Sequence, residues 1–240
     1  MTAAELIAIL QSHANPDNVA GMARYGIRTD AAFGVPMPVL RSLAKQAGKD
    51  HALALDLWES GIHEARILAT LVEELGRVTP RQMDRWARDF DSWDVCDQAC
   101  HNLFRYTPRA FEKAAEWARD RREFVKRAGF SLMAGLAVKA KTASGAQFEA
   151  FLPLIAEAAG DDRNMVKKAV NWALRQIGKR NPRLRRKAMA SAEKIRKQGT
   201  RSARWIASDA LRELKIASDT IFPLKESRKT GNTNTKEPTL

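Results

Sequence analysis

The chain has 240 residues, 45% of them apolar, with 41 Lys and Arg against 28 Asp and Glu and a formal net charge of +13. Mean hydropathy is negative, and charge breaks every apolar run within about a dozen residues, which excludes a spanning helix of roughly 20 apolar residues. Two cysteines, Cys96 and Cys100, cannot build a disulfide framework. The opening MTAAELIAIL carries Glu5 and no basic n-region, unlike a secretion signal. These features predict a reduced, cytoplasmic protein without a membrane partner.

Charge is unevenly placed. Residues 1–160 hold 20 basic and 20 acidic side chains, whereas residues 161–215 hold 17 basic against five acidic. An excess of this kind predicts a polyanionic partner, nucleic acid before a membrane surface, since no basic helix with an aromatic apolar face stands out.

Apolar positions recur at three- and four-residue spacing, and no stretch alternates in the manner of a strand. The spacing predicts helices near 3–13, 17–28, 36–47, 50–60, 62–76, 79–90, 92–104, 107–118, 121–139, 144–159, 162–179, 181–197 and 199–214. Helix entrances are marked by Asn15-Pro16-Asp17, Val35-Pro36, Thr79-Pro80, Thr107-Pro108 and Asn181-Pro182. So many short helices with links of a few residues predict an all-α superhelical solenoid of antiparallel pairs, not a four-helix bundle. Residues 1–221 read as a single helical domain. From Phe222 the segment FPLKESRKTGNTNTKEPTL loses periodicity and predicts a disordered polar tail over 222–240.

Three segments carry residues that do not read as core. In Ser92-Trp93-Asp94-Val95-Cys96-Asp97, Ser92 is an N-cap candidate, and Cys96, Cys100 and Leu103 make an inward stripe. Trp93 and Asp97, four residues apart, share its flank. Asp94, in the first turn, is explained by the helix dipole, whereas Asp97 lies a turn further in, as a structural carboxylate on a neighbouring helix end or as a functional one. Cys96, Cys100 and His101 invite a metal reading, but zinc needs four ligands and no second Cys or His group exists, so neither metal nor cofactor is expected. Arg127 borders the face marked by Phe124, Ala128, Ser131 and Gly135, placed to pair with a carboxylate or to hold a phosphate. On helix 162–179, Val166, Val170, Leu174 and Ile177 face inward. Trp172 lies roughly opposite, among Lys168, Arg175 and Lys179. It is either covered by another helix or contacts nucleic acid while the cations meet phosphates.

Met22-Ala23-Arg24-Tyr25, Phe33-Gly34-Val35, Pro38-Val39-Leu40-Arg41, Trp93-Asp94-Val95-Cys96-Asp97, Lys126-Arg127-Ala128 and Lys168-Ala169-Val170-Asn171-Trp172-Ala173-Leu174-Arg175 follow in an order that resembles the AlkD-type DNA alkylation repair glycosylases. The resemblance runs from about residue 15 to 215 and implies HEAT-like helical pairs whose concave basic face holds duplex DNA. It implies excision of cationic alkylated purines, of the 3-methyladenine and 7-methylguanine type, without drawing the base into a pocket. By the same resemblance Asp97 would be the catalytic carboxylate, Trp93 and Trp172 would contact the sugar, Arg127 a phosphate, and Tyr25 the neighbourhood of the lesion. A cationic base is already a good leaving group, so the protein's task is to stabilise the cationic sugar. A carboxylate and electron-rich indoles can do this without metal or cofactor. The expected enzyme is a monomer, cytoplasmic and associated with the nucleoid when on DNA. The alternatives are a non-catalytic DNA-binding solenoid and a protein-binding helical scaffold.

Overall fold

The structure, a computed structural model, describes residues 1–221. The predicted tail, 222–240, lies outside the described residues. Among those described, fourteen α-helices and two single-turn 3-10 helices account for the regular structure. They are α1 (Ala3–Ser12), α2 (Pro16–Arg24), α3 (Met37–Ala47), α4 (His51–Glu59), α5 (His63–Val72), α6 (Pro80–Arg88), α7 (Trp93–Asn102) and α8 (Ala110–Trp117). There follow α9 (Glu123–Lys139), α10 (Gly145–Glu149), α11 (Leu152–Ala158), α12 (Asn164–Lys179), α13 (Pro182–Arg196) and α14 (Arg201–Ile221). None of the described helices is long and apolar enough to cross a membrane.

Local chemistry accounts for most helix starts. The side chains of Asn15, Thr79 and Asn181 accept first-turn amide N–H groups, as the sequence signals suggest, and Asp50 does the same for α4. Five boundaries differ from expectation, one of them in the helix predicted over 62–76, which ends at Val72. The helix predicted over 144–159 is two, because Pro153, at the start of α11, has no N–H to continue the ladder and its ring clashes with the carbonyl four residues back. The one predicted over 17–28 stops at Arg24, and the chain reverses through Gly26, whose φ of +71° favours glycine. That predicted over 107–118 begins at Ala110, since the Thr107 hydroxyl turns back to donate to the Phe104 carbonyl. The last helix outruns the predicted 214 and reaches Ile221.

The helices form two rows of a superhelical solenoid. α3, α5, α7, α9, α12 and α14 lie side by side in one row, with α4, α8, α11 and α13 packed behind their partners. One apolar cluster runs through both, from Leu6 to Leu214. Behind the first row the rings of Trp58 on α4 and Trp86 on α6 stack at 4.1 Å, and Phe104 bridges Trp86 to Trp117 on α8. These three tryptophans are core. The α8–α9 crossing is so close that a Cβ on Gly129 would sit 2.4 Å from the Ala118 backbone nitrogen.

A buried carboxylate positions the N-terminal edge of the site. Glu64 on α5 accepts the N–H groups of Phe33, Gly34 and Val35, with the Gly34 bond at 2.6 Å. The α2–α3 connection is thereby pinned to α5, and the end of α2 comes to rest against α7.

Candidate nucleic-acid interface

The core-facing stripe of α7 is Val95, Cys96, Ala99 and Cys100. Its thiols lie 3.5 and 3.6 Å from the Phe124 and Ala128 carbonyls of α9, to which they donate, and burial pushes the Cys96 thiol pKa well up. Both cysteines are thus inward packing groups. With that face committed, Trp93, Asp97 and His101 fall one turn apart on the adjoining flank, spaced about 6 Å along the axis.

Each of the three has a fixed partner. The Trp93 indole N–H donates to the Tyr25 carbonyl at 3.1 Å, and the Arg127 guanidinium carbon stands 5.6 Å from the centre of its ring. Both Asp97 oxygens accept from Arg127, Oδ1 from Nε at 3.1 Å and Oδ2 from Nη2 at 2.7 Å, while Nη1 donates to the Met165 carbonyl at 2.8 Å. The Arg127 side chain is 7% exposed and that of Asp97 is 16% exposed. Burial works against the guanidinium charge, but the adjacent carboxylate outweighs it and raises the Arg127 pKa.

The His101 ring stacks face to face on Trp172 at 5.0 Å and 8°. This contact joins α7 to α12 in front of α9, where a Cβ on Gly135 would lie 3.2 Å from the His101 ring. Burial lowers the His101 pKa, with Asp97 acting in the opposite sense. Trp172 is half-buried, one face of its ring covered by the imidazole that α7 presents.

Lys168 is exposed on the same helix. Arg175 and Lys179 instead converge on Glu213 of α14, whose pKa falls because these two cations overcome the effect of burial. Asp209 lies 3.7 Å from Arg175 and accepts from Asn171. Two of the three cations expected to face outward from α12 are thus neutralised within the protein.

Tyr25, 74% exposed, ends α2 beside a cleft of about 680 Å³ between α2, α3, α5 and α7. Met22, Tyr25, Met37, Trp93, Asp94 and Asp97 line it, and no Lys or Arg is among its described lining residues. Two local expectations change here. Ser92 sits at the N-cap, but its hydroxyl accepts from the Arg28 amide 3.2 Å away instead of capping α7. Asp94 has a specific partner beyond the helix dipole, buried His63, whose Nε2 is 2.8 Å from Oδ2. Among the described residues no group of three or more His, Cys, Asp or Glu is placed to hold a metal.

Trp93 and Asp97 of α7 thus meet Arg127 of α9, thirty positions on from Asp97, Tyr25 lies beside Trp93, and Trp172 of α12 joins this group through its stack on His101. His101 is the member that sequence reasoning weighed only as a metal ligand. Its position four residues after Asp97 was the available signal; Met165 and Glu213 left none.

The model of a family described as DNA alkylation repair enzymes matches residues 6–214. No curated protein matches the chain. Among solved structures, one from a new family related to the HEAT-like repeat DNA glycosylases, with affinity for branched DNA structures, superposes with a TM-score of 0.74 at 17% identity, over 88% of this chain and 95% of its own. An engineered protein at 15% identity, over 74% of this chain and 90% of its own, gives a TM-score of 0.39. A designed armadillo repeat protein at 16% identity, over 74% and 92%, gives 0.34.

Proposed function

Since the chain belongs to the DNA alkylation repair enzyme family, we propose that it is a DNA glycosylase that hydrolyses the N-glycosidic bond of cationic N3- or N7-alkylated purines in duplex DNA. The observation that carries this reading is the Asp97 carboxylate, held in one orientation by Arg127 beside the Trp93 indole, on a cleft without a described Lys or Arg in its lining. With Asp97 paired to Arg127, the cleft still favours positive charge because its described lining also carries Asp17, Glu64 and Asp94.

The chemistry follows from the leaving group. Alkylation has already put a positive charge on the base, so bond cleavage needs no strong acid, and the barrier lies in the cationic sugar that forms. Asp97 stabilises that charge and orients the attacking water, and the indole faces of Trp93 and Trp172 attract the same cation. The group to be reached is the sugar, so the base need not be drawn into a pocket. Arg127 has five N–H groups, of which three are engaged, and in this reading one of the other two meets a phosphate drawn against the site. Tyr25 lies nearest the lesion. Lys168 meets the backbone, with Arg175 and Lys179 released in part from Glu213 as phosphates compete for them.

The test is release of 7-methylguanine from methylated duplex DNA by the purified protein and by Asp97→Asn. Release by the wild type and a loss of about 10²-fold or more in the variant are expected, the scale of removing one charge-stabilising group. No release by the wild type, or undiminished release by the variant, overturns the reading. Salt-dependent duplex binding without release would mark a DNA-binding member that does not excise.

A further inference from the structure

Three of the six tryptophans are core and two belong to the proposed site, which leaves Trp205. It lies near the start of α14 and is 41% exposed. The inward face of this helix is complete without it, made of Ala203, Ile206, Ala207, Ala210 and Leu214. At 100° per residue Trp205 shares the outward face with Arg201, Arg204, Ser208 and Arg212, all exposed. Lys167 of α12 places its ammonium 5.5 Å from the ring centre.

The cations here differ from those of α12. Arg175 and Lys179 have Glu213, whereas Arg201 and Arg204 form no ion pair among the described residues, and Arg212 reaches only its own helix's Asp209. The face thus combines uncompensated positive charge with an exposed indole. Charge alone would suit any phosphate backbone. The indole adds a requirement, because the faces of paired bases are covered by their neighbours and only an unpaired base offers one to stack on.

We propose that the outward face of α14 binds a single-stranded DNA segment, with Trp205 stacked on an unpaired base and Arg201 and Arg204 on the flanking phosphates. The surface adds a second DNA contact to the proposed site and does not depend on base excision.

The experiment measures binding of the full chain, by fluorescence anisotropy, to a labelled blunt duplex of about 20 base pairs and to the same duplex with a single-stranded overhang of about ten nucleotides, within the usual span of a single-strand site. The wild type should prefer the overhang. Trp205→Ala should weaken overhang binding about tenfold, within the range for loss of one stacked base, while blunt-duplex binding changes less than about twofold. Trp205→Phe should retain most of the overhang affinity. The double variant Arg201→Ala/Arg204→Ala should lower the salt slope on the overhang by about 1.4, from roughly 0.7 per phosphate on a single strand. Equal losses on both substrates would make this a duplex contact, and unchanged binding with a lowered Tm would make Trp205 a packing group; either overturns the proposal. No base release is read, so failure of the excision assay leaves this test intact, and the reverse also holds.

Discussion

Removing Arg127 while leaving Asp97 in place isolates an uncompensated carboxylate. In Arg127→Met the aliphatic bulk remains, but Asp97, only 16% exposed, loses both hydrogen-bond donors, and the Met165 carbonyl loses its guanidinium partner. Breaking one side of a buried pair costs about 3–5 kcal/mol, and residual water access to Asp97 puts this case near the lower end. The lost contact over Trp93 adds about 0.5–1 kcal/mol. The sum is about 3–4 kcal/mol, or a fall in Tm of roughly 6–15 °C for a folded region of this size. Arg127→Met/Asp97→Asn removes the stranded charge and should recover about 2 kcal/mol of the loss. Urea unfolding followed by far-UV circular dichroism, with m unchanged across the set, measures all three variants. A single variant that loses less than about 1 kcal/mol, or a double variant that loses the full sum of the two single effects, would refute the idea that Arg127 first serves to hold Asp97.

Three further outcomes are expected. Gly129→Ala should destabilise by about 2–3 kcal/mol, because the new Cβ meets the backbone of Ala118 and Ala114 rather than a movable side chain; a melting shift within error of wild type would contradict this. Burial opposes the charge on His63, but Asp94 outweighs it and the folded-state pKa is raised. The folded protein therefore holds this proton more tightly than the unfolded chain. The contribution is complete below the ordinary histidine value of about 6.5 and is lost as pH rises through the raised one. The Tm gap between wild type and His63→Gln should then be wider near about pH 5.5 than near about pH 8.5, and a gap that is constant or reversed would show that the pair carries no such linkage. His101→Ala should leave Trp172 without its stacked partner and slow base release about tenfold with DNA affinity little changed, the scale of roughly 1 kcal/mol for an aromatic pair. His101→Phe should restore the rate, and failure to restore it would mean that the imidazole acts by some route other than the stack.

How much of this was legible beforehand depended on the range of the interaction. Backbone geometry repeats every 3.6 residues, so the amphipathic spacing, the Asn15, Thr79 and Asn181 caps and the line from Trp93 to Asp97 could be read locally. The family landmarks, spread over most of the chain, were legible by resemblance, as short runs of adjacent residues in a fixed order. What joins the landmarks was not. Asp97 meets Arg127 across thirty positions because the α7 thiols seat that helix on α9. Trp172 meets His101 because Gly135 leaves the space in front of α9 open. The charge excess shows the contrast most clearly. Composition alone established that the C-terminal helices are basic, since charge simply adds along a chain. Which of those charges face outward was decided by the packing of α14, which places Glu213 against Arg175 and Lys179 and leaves Arg201 and Arg204 beside Trp205. A sum over residues carries no record of which charges are paired, and pairing across helices exists only once the solenoid has turned them toward each other.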